Sequence, residues 1–214
     1  MDQNALALPW LLIAAPHLND PNFKRAVALI VEHTEKGAMG FIINRPLQTP
    51  LASVIEYNSV EIPENIPVWY GGPVATGNGV ILHTPPKTPK ENQTPAQVVM
   101  SASDECLDQL IIQSEQLFGA IEDRAGATSG HQTVNDLIGP TGLSELYPFR
   151  FIVGYSGWGA GQLEEEIREG IWLQIPSSHH LVFSTPWAQL WEEAYASIGM
   201  MPREFAPGNS HFLN

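Results

Sequence analysis

At 214 residues, 43% hydrophobic and 15% charged, the chain is long enough to bury one substantial core and too apolar to be disordered. Its net charge of −13 is uneven: residues 1–48 balance four acidic against four basic residues, 49–149 hold twelve against three, and 150–214 seven against three. A phosphate backbone demands several Lys or Arg on one face, and the nearest approach is Lys24-Arg25 with the loose pair Lys87 and Lys90, so direct nucleic-acid binding is disfavoured.

The first apolar run, ALALPWLLIAAP, is interrupted by Pro9, follows an acidic residue and is too short to span a bilayer, so it predicts a buried strand in a soluble cytoplasmic protein with no membrane contact. Asp20-Pro21 predicts the capped start of a short helical turn. AVALIVEH (26–33) and GFIINRP (40–46) are β-branched runs of strand length joined by the hairpin-like TEKGAMG, and Pro46 is expected to stop the second. LASVI (51–55) predicts one helical turn, VWYGGPV (68–74) and GVILH (79–83) predict strands, and TPPKTPKENQTP (84–95) a polar loop.

A helix is predicted from Ser103, with Asp104, Glu105 and Asp108 in its first turn and Leu107, Leu110, Ile111, Ser114, Leu117, Phe118 and Ile121 along one face. Residues 122–149 lose that periodicity and predict a long loop or insertion. RFIVGY (150–155) and IWLQIP (171–176) predict strands around a short helix, QLEEEIREG (162–170). A final helix opens at Thr185-Pro186, with Trp187, Leu190, Trp191, Ala194 and Ile198 in one stripe. No repeat or interdomain linker interrupts this order, which implies one domain.

The glycine-rich stretch GYSGWGAGQLEEEI (154–167) is the strongest candidate for a chemical motif, and it fails three templates. Counting from Gly157 or Gly159 puts Gln162 or Glu164 where a dinucleotide fingerprint needs its third glycine. Ala160 follows Gly159 where a P-loop needs Lys, and Trp158 stands where a nucleophile elbow needs Gly. Glu164, Glu165 and Glu166 would also repel a phosphate at that helix start. The residues then predict a strand-to-helix turn, with Trp158 and Gln162 as the side chains open to a binding role.

Cys106 is the only cysteine, so an intrachain disulfide and a cysteine zinc site are excluded, as suits a reducing cytosol. The acidic residues around it oppose thiolate formation, and a structural role is expected. His179-His180, on a segment expected to be extended, would point to opposite faces, and His33 reads as a solvated strand end. His83 is the best placed histidine, with a hydrogen-bonded structural role the simpler reading. Arg45 is the lone basic residue between Lys36 and Lys87 and predicts an ion pair, to Glu166 or Asp20, or an anion site.

Taken together, LLIAAPHLNDPNFKRAVALIVEHTEKGAMGFIINRP, VWYGGPV, GVILH, GYSGWGAGQLEEEI with IWL, and VFSTPWAQLWEEAYASIGM resemble the YqgE/AlgH family, in the family's order and over nearly the whole chain. The resemblance implies an α+β fold: a bent, bifurcated mixed β-sheet that closes into a pseudo-barrel, flanked by helices. One class of members is named as a regulator of alginate synthesis, and the resemblance carries over no catalytic residue, metal or cofactor. Two departures stand out: 122–149 is longer than the family's usual connection, as an insertion would be, and His180 and Ser184 stand where relatives often carry acidic residues.

Two functions follow as expectations. The first is a cytoplasmic non-enzymatic regulatory or interaction protein working through a protein partner, with an indirect effect on transcription. The second is a small-molecule-binding protein or enzyme with a site at Asn44, Arg45, Gly71, Gly72, His83, Trp158 and Gln162, positions at strand ends and turns where sites are commonly built. A scaffold that recruits its partner through 122–149 is a variant of the first.

Overall fold

A computed structural model of the chain describes residues 8–55, 60–64, 66–84, 96–127 and 149–202, with side chains of the long helix described as far as Gln116. The strands are β1 (Trp10–Ala14), β2 (Val27–Thr34), β3 (Gly37–Ile42), β4 (Pro46–Pro50), β5 (Pro67–Tyr70), β6 (Val74–His83), β7 (Val99–Ser101), β8 (Phe149–Gly159) and β9 (Trp172–Pro176). The α-helices are α1 (Asp104–Ala127), α2 (Gln162–Arg168) and α3 (Leu190–Ala196), with a 3₁₀ turn at Leu51–Ser53 and a π-helical turn at His180–Ser184. The protein is therefore a mixed α+β fold, built on one large mixed sheet with few helices.

The sheet runs β4-β5-β8-β3-β2-β1-β9, and β6 joins β8 as a branch that also carries β7. β8 is the reason for the branching. Its first half pairs parallel with β5 (Val68 opposite Phe151) and antiparallel with β6 (His83 opposite Phe149), while its second half pairs with β3 (Gly40 opposite Ser156). Among the described residues the hydrogen-bonded path is open from β4 to β9, so the pairing itself does not close a barrel.

Three chain segments cross at the fork, and glycines make the crossing possible. A Cβ on Gly71 would lie 2.3 Å from the Gly154 carbonyl oxygen, and one on Gly154 (φ +72°) would lie 2.5 Å from that of Gly72. Gly71 accepts from the Ile42 amide (2.9 Å) and the Ser156 hydroxyl (3.1 Å) and donates to the Val153 carbonyl (2.9 Å). Such an approach excludes any side chain.

Both faces of the inner strands are covered, which explains their unbroken apolar runs. In β1, Leu11 and Ile13 face a core closed by the π turn and α3, while Trp10, Leu12 and Ala14 face a second core with Trp158, Leu163 and Trp172. A third core lies under α1, where Leu107, Leu110 and Ile111 meet Leu51, Val68, Ile81 and Phe149.

Several expectations are corrected here. The second strand ends at Ile42, before the expected stop, and Pro46 opens β4 instead, since a proline at the start of an edge strand sacrifices no ladder bond. The strand predicted at 150–155 continues to Gly159, because Ser156 to Gly159 are held in the ladder against β3; the strand-to-helix turn shrinks to Ala160 and Gly161. α1 runs on through 122–127, so that part of the expected loop is helical, and 128–148 lie outside the described residues, as do 85–95. His179 and His180 are not extended: the segment turns helically, with the Thr185 amide donating to the His180 carbonyl at 2.8 Å. The stripe of the last helix is buried at Leu190, Trp191 and Ala194, while Trp187 and Ile198 are exposed at its flanks.

Candidate functional site

The seven residues selected from the sequence do not converge on one site: Trp158 and Gln162 are brought together at Glu166, Asn44 and Arg45 at the turn after Asp20, and His83 stands apart from both. His83 sits opposite Phe149 at the start of β8 and Trp158 near its end, about 30 Å away along the strand at ~3.3 Å per residue. Gly71 and Gly72 are the fork described above.

Trp158 is buried and donates its indole N–H to Glu166 Oε2 at 2.8 Å. Trp172 donates to the same oxygen at 2.8 Å, and Gln162 Nε2 to Glu166 Oε1 at 2.8 Å, while Gln162 Oε1 caps the Gly159 amide at 3.0 Å. The other two glutamates of the run are also occupied: Glu164 meets His33 Nε2 at 2.7 Å, and Glu165 pairs with Arg168. His33 is exposed near the end of β2, as expected, and its ring also meets Trp10 edge-on, 5.7 Å between centroids. Its own backbone amide and His33 hold the Glu164 carboxyl below its ordinary range.

His83 is buried with Nδ1 2.8 Å from the Thr84 carbonyl, which fixes the proton on Nδ1. Nε2 then accepts from the Cys106 thiol, 3.5 Å away. The sequence singled out His83 and gave Cys106 a structural role but did not join them, because Cys106 lies in the first turn of α1 and His83 ends β6.

Asn44 and Arg45 form a support. Asn44 Oδ1 accepts from the Val27 amide (3.0 Å) and Nδ2 donates to the Arg25 carbonyl (2.9 Å). Arg45 is not paired with Glu166 or Asp20; it donates to the carbonyls of Pro21 (3.0 Å) and Lys24 (2.8 Å), because the turn after Asp20 leaves those oxygens facing it. Partial burial lowers the Arg45 pKa, offset by nearby Tyr70 and Asp20. The expected cap is present, with the Asn22 amide 2.8 Å from Asp20 Oδ1, and Tyr70 closes the turn through its hydroxyl to Asn22 Oδ1 (3.0 Å).

What this scaffold presents is Arg25. Its φ of +57° is unusual for a residue with a side chain, and it is held there by Asn44 behind and by α3 in front. The guanidinium stacks on Trp191, 4.6 Å from the ring centroid, and pairs with Glu192. Trp191 is itself fixed, donating to the Ala14 carbonyl at 2.8 Å beside the Tyr195 hydroxyl, whose pKa burial pushes up to about 12. Around this pair lies a groove of about 850 Å³, with Pro16, Met201 and Pro202 supplying apolar walls and Lys24 and Glu192 a charged rim. Met201 is 60% exposed. Sequence reading missed the groove: its walls come from segments roughly 170 residues apart, and only Lys24-Arg25 stood out, as a weak basic pair.

Among the described residues no group of three His, Cys, Asp or Glu could hold a metal ion, and no helix is long and apolar enough to cross a membrane.

The fold defines a class before it defines a function: α+β proteins with a forked mixed sheet. The same fold occurs in the AlgH protein of Pseudomonas aeruginosa, whose solution structure matches with a TM-score of 0.59 at 29% identity, covering 94% of this chain and 93% of that one. It also occurs in a Corynebacterium diphtheriae protein (TM-score 0.58, 20% identity, 92% and 90% covered), a likeness of fold alone. In sequence, a UPF0301 protein of Idiomarina loihiensis is 34% identical over 207 residues, 94% of this chain and 96% of its own. A UPF0301 protein of Thioalkalivibrio sulfidiphilus is 34% identical over 192 residues, 88% of each. The AlgH-like family model matches residues 11–203, and the chain belongs to that family.

Proposed function

We propose that the protein is a cytoplasmic, non-enzymatic regulatory protein that acts through a protein partner, with an indirect effect on transcription, and that a partner segment docks in the groove at Arg25 and Trp191. One observation carries this reading: the groove combines Trp, Arg and Met, residue types enriched at the energetic centres of protein interfaces, on a rigid support. Its openness favours a protein segment over a small molecule, since small ligands usually bury most of their surface and Arg25 and Met201 are both more than half exposed. The net charge of −13 disfavours DNA as the partner. The name of the Pseudomonas aeruginosa relative agrees with a regulatory role.

The same proposal includes one domain with an insertion at 122–149 and a bent sheet that closes into a pseudo-barrel by side-chain packing. The closure is supported by one core that joins residues of β1, β2, β3, β5, β6, β8, β9 and α3. The test is capture from the native cell by wild-type protein, Arg25→Ala, Met201→Glu and a variant lacking 128–148. A partner retained by wild type and lost from both groove variants supports the reading. A partner lost only with 128–148 moves the docking surface to the insertion, and tight, salt-steep binding in a low-salt DNA gel shift refutes the indirect mechanism.

The alternative, an enzyme or small-molecule-binding protein using the sequence-selected positions Asn44, Arg45, His83 and Trp158, keeps one supporting observation in the Cys106–His83 contact. It requires that Cys106 be alkylated markedly faster in wild type than in His83→Gln.

A further inference from the structure

Cys106 lies in the first turn of α1, and its thiol meets a histidine delivered by another element. Sγ is 3.5 Å from Nε2 of His83, the last residue of β6. His83 is 8% exposed, and its Nδ1–H donates to the Thr84 carbonyl at 2.8 Å, so Nε2 faces the sulfur as an acceptor. The base is oriented by a third group and faces the nucleophile, which is the arrangement that activates a thiol.

The cysteine is not sealed in. It is partly exposed at the margin of the core under α1, and Ala102 to Glu105 beside it are exposed. Among the described residues no third His, Cys, Asp or Glu joins the pair to make a metal site. Asp104 and Glu105 precede the thiol and Asp108 follows it, so the turn repels anionic reagents and leaves uncharged ones unopposed. A proton passed to His83 during the attack, instead of ahead of it, also spares this acidic turn a lasting negative sulfur.

We propose that Cys106 is an oxidation site for a small neutral hydroperoxide, with His83 as the proton acceptor. The sulfur lone pair attacks the terminal peroxide oxygen, which keeps its hydrogen, while His83 Nε2 takes the thiol proton. The O–O bond breaks, and the departing oxygen recovers that proton from Nε2 and leaves as water or an alcohol. Sulfur is oxidised to a sulfenic acid as the peroxide is reduced. Cys106 is the only cysteine, so no intrachain disulfide can follow. A small external thiol instead condenses with the sulfenic acid, losing water, and a second thiol releases Cys106 and leaves joined to the first as their disulfide. The site requires neither the groove at Arg25 nor turnover of a substrate by the chain.

The experiment treats the full chain with hydrogen peroxide and follows loss of free thiol and dimedone trapping of the sulfenic acid, for wild type and His83→Gln. Glutamine keeps an N–H for the Thr84 carbonyl and removes the base. Folded wild type should react roughly tenfold or more faster than the same chain unfolded in urea at the same pH, and faster than folded His83→Gln by a similar factor. 2-Mercaptoethanol should then restore the free thiol. If His83→Gln does not fold, the comparison of folded with unfolded wild type decides. The proposal is overturned if the folded thiol reacts no faster than the unfolded one, or if His83→Gln folds and reacts at the wild-type rate. A wild-type product that dimedone does not trap and 2-mercaptoethanol does not reduce would overturn it equally.

Discussion

Glu166 accepts from two indoles and one carboxamide, so a single carboxylate ties α2 to β8 and β9. Removing it leaves two partly buried indole N–H groups unpaired. Glu166→Ala should therefore cost about 2–3 kcal/mol in urea unfolding, with a red shift in tryptophan emission, whereas Glu166→Gln should cost less because one oxygen remains. Glu164, beside it, works at the surface. Its pKa is depressed in the fold, so its contribution is present above the unfolded value and fades as pH falls through and below the ordinary carboxylate range. Half exposed, the pair with His33 is worth well under about 1 kcal/mol, and Glu164→Gln should flatten the acid limb of a stability–pH curve only slightly. At this scale the sequence marked residues that the fold ties down, for reasons other than the ones that operate. The Glu run was legible as hostile to phosphate, but which donor each glutamate meets depends on β3, β8 and β9 converging. Asn44 and Arg45 were legible as unusual, yet their partners are backbone carbonyls, which no sequence pattern displays.

Among the elements, β8 decides the architecture. Its glycine content suggested a loop, and the structure uses those glycines to let a long strand serve three neighbours and to let Gly71 and Gly72 cross it. Gly154→Ala would combine a φ of +72° with a Cβ 2.5 Å from a backbone oxygen, and should cost roughly 3 kcal/mol or prevent folding. Gly77→Ala, on the exposed part of β6 with nothing within 4 Å of the new methyl, should change stability by less than about 0.5 kcal/mol. Parallel urea titrations check the contrast. The buried strands β1 and β2 and the start of α1 were legible because apolar runs and first-turn acids arise locally. β4 and β7 were not, because an edge strand of three to five residues, part proline and largely exposed, carries almost no periodic signal. The π turn was not either, since its wider hydrogen bonding is imposed by packing under β1 and β8.

At the scale of the molecule, the sheet brings the turn after Asp20 against α3, and this contact creates the groove. Asn44 and Arg45 support it from behind, Trp191 floors it from Ala14, and Arg25 is held in a backbone conformation that places its guanidinium on the indole. Family membership, and through it a mixed-sheet α+β fold, followed from the resemblance of the motifs quoted above; a surface made from residues 16–25 and 191–202 did not, because it exists only after the chain has closed. The most direct test of the regulatory reading is site-specific photocrosslinking in the native cell, with a photoreactive residue in place of Met201 on the groove wall or of Met100 on the exposed edge strand β7. A discrete protein adduct from position 201 that disappears with Arg25→Ala, and none from position 100, is the predicted result. Adducts of equal yield from both positions, or an adduct from 201 that is indifferent to Arg25, would contradict a partner seated in the groove.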